Sequence, residues 1–207
     1  PGQDDALAMM TAFGAKKYLN VLGVTCVAGN VPLDLTSVNA LKICELSGVF
    51  SVPVFRGSPA PLKRKLITAE HVHGKTGLDG TDLLVKKKEL EPTDAVDFII
   101  ECTEKYRDEK ITICALGPLT NIAKVLKQDT VLTESIEEIV LMGGGFFEGG
   151  NITPAAEFNI YVDPEAAKIV LESGLKITML PLDVTHKTLV QRNFLEKLRK
   201  SGKNSAI

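Results

Sequence analysis

The chain has 207 residues, of which 44% are hydrophobic and 24% charged, and its formal net charge is -2. That length and apolar share suit one α/β domain, 1–207, with a sizeable core. The near-balance of charge excludes a general field for nucleic acid or an acidic membrane surface, and no apolar run approaches the roughly 20 residues that span a bilayer.

The opening, PGQDDALAMM, is a turn, two adjacent acids and an apolar stretch, and predicts a helix over 4–18. NVLGVTCV (20–27) reads as a buried strand. PLDLTSVNALKICELSG follows as a helix, with Pro32 in its first turn and Gly48 as its stop. VPVF (52–55) is a short strand. Residues 56–92 are polar and rich in Gly, Lys and Pro, too long for an ordinary connection, and read as a lid. Within them Lys86, Lys87 and Lys88 read as a solvated charge run.

A helix over 93–107 presents Val96, Ile99 and Ile100 on one face, with Thr103 a turn further on. KITICAL (110–116) is a strand and LTNIAKVLK a helix. EIVLM (138–142) is a strand that runs into three glycines. DPEAAKIVLESG (163–174) is a helix with an Asp cap, Pro at N1 and Gly at its end. KITMLPL (176–182) is a strand, and RNFLEKLRK is helical. Apolar strands alternating with helices predict a mainly parallel sheet covered on both faces. Cys26, Cys44, Cys102 and Cys114 each lie in an apolar segment and form no CxxC pair. They read as buried free thiols in a reducing compartment.

Ligands of parallel α/β sheets bind beyond the carboxyl ends of the strands. The loops expected there are AGN, GPLTN, GGGFFEGGN and DVTH, with PGQDD placed as a loop after a preceding strand. Asp4 and Asp5 repel each other unless a helix N-terminus or a cation intervenes. Neighbours on a helix point about 100° apart, so one could grip a metal while the other meets a substrate hydroxyl. Carboxylates without Cys or His favour Ca²⁺ or Mg²⁺; a plain acidic first turn is the competing reading. Glycines 143–145 could cradle phosphate or allow a close backbone approach. HVH (71–73), if extended, puts both imidazoles on one side, for a loop contact to substrate or for a metal. Asp183 and His186 read as a catalytic pair or, preferably, as an end-of-strand turn. In AAEFNIYVDPEAA an extended backbone puts Glu157 and Asn159 on one face, an acceptor and an amide suited to vicinal sugar hydroxyls, with Phe158 turned away or stacked on a ring.

Together these blocks resemble the inosine–uridine-preferring nucleoside hydrolases. PGQDDALA matches the second half of the family's Asp-rich opening. VLGVTCVAGNV, HVHGKTGLDG, ALGPLTNIA, VLMGGG and AEFNIYVDPEAA follow in the family's order. The resemblance implies a Rossmann-like nucleoside hydrolase fold and hydrolysis of the N-glycosidic bond of ribonucleosides by a Ca²⁺-bound water. It implies Asp5 and the Leu116 carbonyl as metal ligands. Asp4 is implied as the catalytic residue that touches ribose hydroxyls near the attacking water. Asn30, Asn151, Glu157 and Asn159 are implied as ribose-binding residues, His73 as a loop histidine that approaches the sugar, and Phe158 as a residue beside base or ribose.

It further implies a cytoplasmic homodimer or homotetramer that takes a small nucleoside and has no nucleic-acid or membrane partner. The family's pattern places a metal-binding Asp, and the strand that carries it, before Pro1. It places a His-Asp pair beyond Ile207. By that resemblance the chain is a fragment truncated at both ends, expected to hold Ca²⁺ poorly and to be inactive alone. A non-catalytic ribose- or nucleoside-binding protein is the alternative, and a phosphate-binding enzyme using the three glycines is a third reading, opposed by the acids at 4 and 5. Purine or pyrimidine preference is not readable.

Overall fold

The computed structural model describes residues 1–80, 83–128 and 131–201; residues 81 and 82 of the long loop lie outside the described residues. In chain order the elements are α1 (Gln3–Gly14), β1 (Val24–Thr25), α2 (Leu33–Leu46), β2 (Val54–Phe55), α3 (Glu70–His73), α4 (Ala95–Lys105), β3 (Ile111–Ala115) and α5 (Thr120–Gln128). A 3-10 turn (Val131–Ser135) leads into β4 (Ile136–Met142), followed by α6 (Phe158–Val162), α7 (Pro164–Leu171), β5 (Ile177–Leu180), α8 (Leu182–Thr185) and α9 (Arg192–Ser201). No described helix is long and apolar enough to cross a membrane.

All described strand pairings are parallel, in two half-sheets ordered β1-β2 and β3-β4-β5. Helices alternate with the strands, which makes this the α/β architecture the sequence predicts. β1 is far shorter than 20–27 because only one of its sides is laddered. Val24, Cys26 and Ala28 donate their N–H groups to the carbonyls of Pro53, Phe55 and Ser58. Among the described residues no ladder joins β1 to β3.

One apolar cluster sits under β1 and β2, with Met9 and Phe13 of α1 against Leu41, Ile43 and Cys44 of α2. A second packs Leu119, Ile122 and Ala123 and, from α7, Ala166 and Val170 around Ile139 and Leu141 of β4. α1 stops at Gly14 rather than near residue 18 because the apolar spacing ends with Phe13; Lys16, Lys17, Tyr18 and Leu19 face solvent. α2 begins one residue after Pro32 and ends before Gly48, whose φ of 66° closes the turn. Asp94 and Asp163 cap α4 and α7 through the N–H groups of Val96 and Ala166.

Two buried polar side chains span the gap between the half-sheets. Asn121, on α5, donates Nδ2–H to the Cys26 carbonyl at 2.9 Å and accepts the Ser58 N–H at 2.8 Å. Asp163 accepts the Thr120 hydroxyl at 2.7 Å and the Leu62 N–H at 2.9 Å. The rings of Phe55 and Phe98 stack at 3.8 Å between centroids.

Two sequence expectations are corrected. Cys114 is exposed on β3, unlike Cys26, Cys44 and Cys102, because alternate side chains of that strand leave the core. Lys88 is buried and donates Nζ–H to the Phe50 carbonyl at 3.0 Å, while Glu45 accepts the backbone N–H groups of Lys86, Lys87 and Lys88. That run is therefore only partly solvated. Residues 56–92 are anchored at several points. Ala69 N–H reaches the Asn30 carbonyl, Asn39 donates to the Thr76 carbonyl, and Glu91 N–H reaches Val54.

Asn121→Ala removes both arms of its bridge and leaves the Cys26 carbonyl and the Ser58 N–H without partners. It is expected to cost roughly 2–3 kcal/mol of stability, read as a lower urea midpoint; an unchanged midpoint would show that the bridge is dispensable.

Candidate active site

A chamber of about 120 Å³ opens at the carboxyl ends of β3 and β4. Its walls come from six places in the chain. Asp4 stands on the first turn of α1, and Asn30 follows β1. His71 and His73 belong to α3. Leu116 and Met142 end β3 and β4. Asn151, Glu157, Phe158 and Asn159 come from the loop after β4 and from α6. A larger, more open depression of about 610 Å³ lies around Phe13, Lys16, Tyr18, Val49 and Val52. No carboxylate lines it, so it offers no comparable chemistry.

Asp5 sits beside the chamber rather than on its wall. Its Oδ2 accepts the Gly2 N–H at 2.8 Å and the Asn30 Nδ2–H at 3.1 Å. As the third helical residue it thus supplies half of a capping box, and glycine at the cap leaves the other half out. Burial pushes the Asp5 carboxyl above the ordinary carboxylate range, and neighbouring Asp4 pushes it further. Such a group gains most from a cation nearby. Asp4 and Leu116 on the wall and Asp5 beside it offer oxygen donors alone, a chemistry that suits a hard ion such as Ca²⁺. Among the described residues no group of three His, Cys, Asp or Glu side chains converges as a metal site.

Glu157 and Asn159 do not sit on an extended strand. Glu157 caps α6, accepting the N–H of Asn159 at 3.0 Å and of Ile160 at 3.2 Å, and its Oε2 also takes the Gly144 N–H at 3.0 Å. This turn is capped six residues ahead of Asp163, before the helix that the DP signal marks, and sequence reasoning passes over it because a Glu cap is a weak signal. Asn151 accepts the Phe158 N–H at 2.8 Å. Asn159 donates Nδ2–H to the carbonyls of Leu116 and Met142 at 3.1 and 3.2 Å. Phe158 is buried against Ala69 and Val162 and also lines the chamber.

HVH is also corrected: it forms the helical turn α3, so its two imidazoles are about 200° apart around the axis instead of aligned, although both border the chamber. His73 Nδ1 lies 2.8 Å from Gln3 Oε1. None of the three glycines lines the chamber. Gly144 N–H is taken by Glu157, and a side chain at Gly145 would overlap the backbone of Gly149, which fits the close-approach reading and leaves little for a phosphate. Asp183 holds the loop by accepting the N–H groups of Phe146, Phe147 and Glu148, which lowers its pKa; His186 pairs with Glu148. Both are end-of-strand fixtures and neither lines the chamber.

Residues that sequence reasoning missed are Gln3, Asn39, Asn121, Met142 and Asp163 in its bridging role. Asn39 and Asn121 are signalled only as amides on otherwise buried helix faces.

The chamber lies where two parallel half-sheets part, and acids, amides and a strand-end carbonyl line it, which defines an α/β protein built for a small polar ligand at its switch point. The model of the inosine-uridine preferring nucleoside hydrolase family matches residues 1–207, and the chain belongs to that family. It is 43% identical over 202 residues to the pyrimidine-specific ribonucleoside hydrolase RihB of Escherichia coli, covering 98% of this chain and 63% of that protein. Among solved structures, it matches the purine-preferring ribonucleoside hydrolase from Gardnerella vaginalis with a TM-score of 0.91 at 34% identity, covering 96% of this chain and 64% of that one. A plant nucleoside hydrolase, the PpNRh1 enzyme, matches with a TM-score of 0.85 at 37% identity, covering 90% and 59%. The chain thus spans less than two thirds of the length of these relatives.

Glu157→Gln keeps the shape but turns an amide N–H toward backbone N–H groups now held by a carboxylate. A loss of about 1–3 kcal/mol is expected in denaturant unfolding; a neutral result would remove Glu157 as the tie between α6 and the glycine loop.

Proposed function

We propose that the whole protein hydrolyses the N-glycosidic bond of ribonucleosides, releasing free base and ribose. The observation that carries this reading is the convergence of Asp4, Leu116, Glu157 and Asn159 on one chamber in a chain of this family. Asp5 and the Leu116 carbonyl would hold Ca²⁺. When bound, Ca²⁺ would supply a Lewis acid that positions a water and lowers its pKa.

The chain's own residues do the rest. Asp4 accepts hydrogen bonds from ribose hydroxyls and stands nearest the attacking water. Asn30, Asn151, Glu157 and Asn159 orient the sugar. Because three backbone N–H groups fix Glu157, its negative charge is preorganised where the ribose becomes oxocarbenium-like. Phe158 flanks the sugar or base with apolar surface. His73, on α3 over the first turn of α1, closes the chamber against bulk water. The same reading makes the protein a cytoplasmic enzyme, in keeping with four free thiols, that self-associates as a homodimer or homotetramer.

The test is release of free base from inosine and uridine by the whole protein. Activity should fall on chelation of divalent ions and return with added Ca²⁺. Nucleoside binding without base release would leave only a binding protein, and activity indifferent to chelator would remove the metal.

Asp5→Asn keeps the capping contact to Gly2 in part but removes the charge. Turnover of inosine is expected to drop about a hundredfold or more, with Ca²⁺ affinity lost in calorimetry. Unchanged Ca²⁺ affinity would show that Asp5 is not a ligand.

A further inference from the structure

We infer that Asn159 positions the carbonyl of Leu116, so that one amide sets the geometry of the metal-facing oxygen as well as lining the sugar chamber. The inference rests on the nucleoside hydrolase reading of this chamber. Asn159 Nδ2 lies 3.1 Å from the Leu116 oxygen and 3.2 Å from the Met142 oxygen. An amide nitrogen has two hydrogens and both are spent. The opposite flip would put an amide oxygen between two carbonyl oxygens, three acceptors with no donor, so chemistry decides the orientation.

β3 and β4 are laddered as far as Ala115 and Leu141. One residue further the two strand ends part, and the amide of Asn159 bridges their carbonyls. Leu116 precedes Gly117, where the backbone has the least intrinsic resistance to turning. A carbonyl oxygen has two lone pairs, and engaging one with Nδ2–H fixes the direction of the other. Asn159 is itself held, since its backbone N–H is donated to Glu157 Oε1 at 3.0 Å and its side chain is buried. Glu157, Asn159 and Leu116 therefore form one chain of contacts from the cap of α6 to the end of β3. Among the described residues no donor meets Asn159 Oδ1, and Asn159 lines the chamber. That oxygen is the part of Asn159 left for a ligand hydroxyl, which must act as donor.

Partners that orient a ligating group without touching the metal typically change affinity 10–100-fold when removed. The experiment is titration of the whole protein with Ca²⁺ alone, without nucleoside, by isothermal calorimetry. Asn159→Ala is compared with the unaltered protein, and circular dichroism checks the fold. The expected result is a Kd for Ca²⁺ raised about tenfold or more. An equal Kd in a folded variant overturns the inference, since a residue that only touched sugar would alter ribose binding alone. Absence of Ca²⁺ binding by the unaltered protein would instead overturn the reading beneath it. Because Asn159→Ala removes buried contacts and could unfold the chain, proton exchange of the Asn159 side-chain amide is also measured in the unaltered protein. Slow exchange of both protons is expected, and fast exchange of both overturns the inference.

Discussion

The site depends on side-chain hydrogen bonds that do the work of a missing ladder. Between β1 and β3 no described backbone pairing exists, yet the loops after both strands must meet to form one chamber. Asn121 and Asp163 make that meeting possible. Each is almost wholly buried, and each satisfies backbone groups from elements far apart in sequence. A buried amide or carboxylate is costly unless its partners are all in place, so these residues tolerate few alternative arrangements. That intolerance gives the two half-sheets a defined relation.

The same logic repeats at smaller scale inside the chamber. Glu157 gathers the start of α6 and the glycine loop, Asn151 holds the N–H of Phe158, and Asn159 gathers two strand ends. The polar residues that line the chamber are thus also the residues that assemble its wall. A carboxylate held by three N–H donors has little freedom to reorganise, and such preorganised charge acts most strongly on a developing cation.

Most of the fold was legible because apolar spacing and caps act locally. The helices ending at Gly48 and starting at Asp163 were visible from a glycine and an Asp-Pro pair, and the parallel pairing of the strands followed from their alternation with helices. Legibility failed where tertiary partners overrule local pattern. HVH alternates polar and apolar like a strand, yet it curls into α3, whose Val72 and His73 N–H groups return to the Ala69 carbonyl. Lys88 belongs to a charge run, but a carbonyl at Phe50 draws it inward. Cys114 sits in an apolar word whose alternate face is open. In the site, Asp4, Glu157 and Asn159 were visible as unusual polar residues near strand ends. The bridging by Asn121 was not, because nothing local distinguishes an amide that satisfies distant backbone from one that faces water.

The moorings of the long loop bound what its histidine can do. Between the anchor at Ala69 and the clasp on the Thr76 carbonyl lie only six residues, at most about 20 Å of extended chain. His73 can therefore travel by unwinding one turn, like a latch on a short chain. A door swinging on the whole segment would first have to break contacts shared with α2 and α7. Any displacement of His73 is thus bounded by the reach of residues 70–75 between two fixed ends.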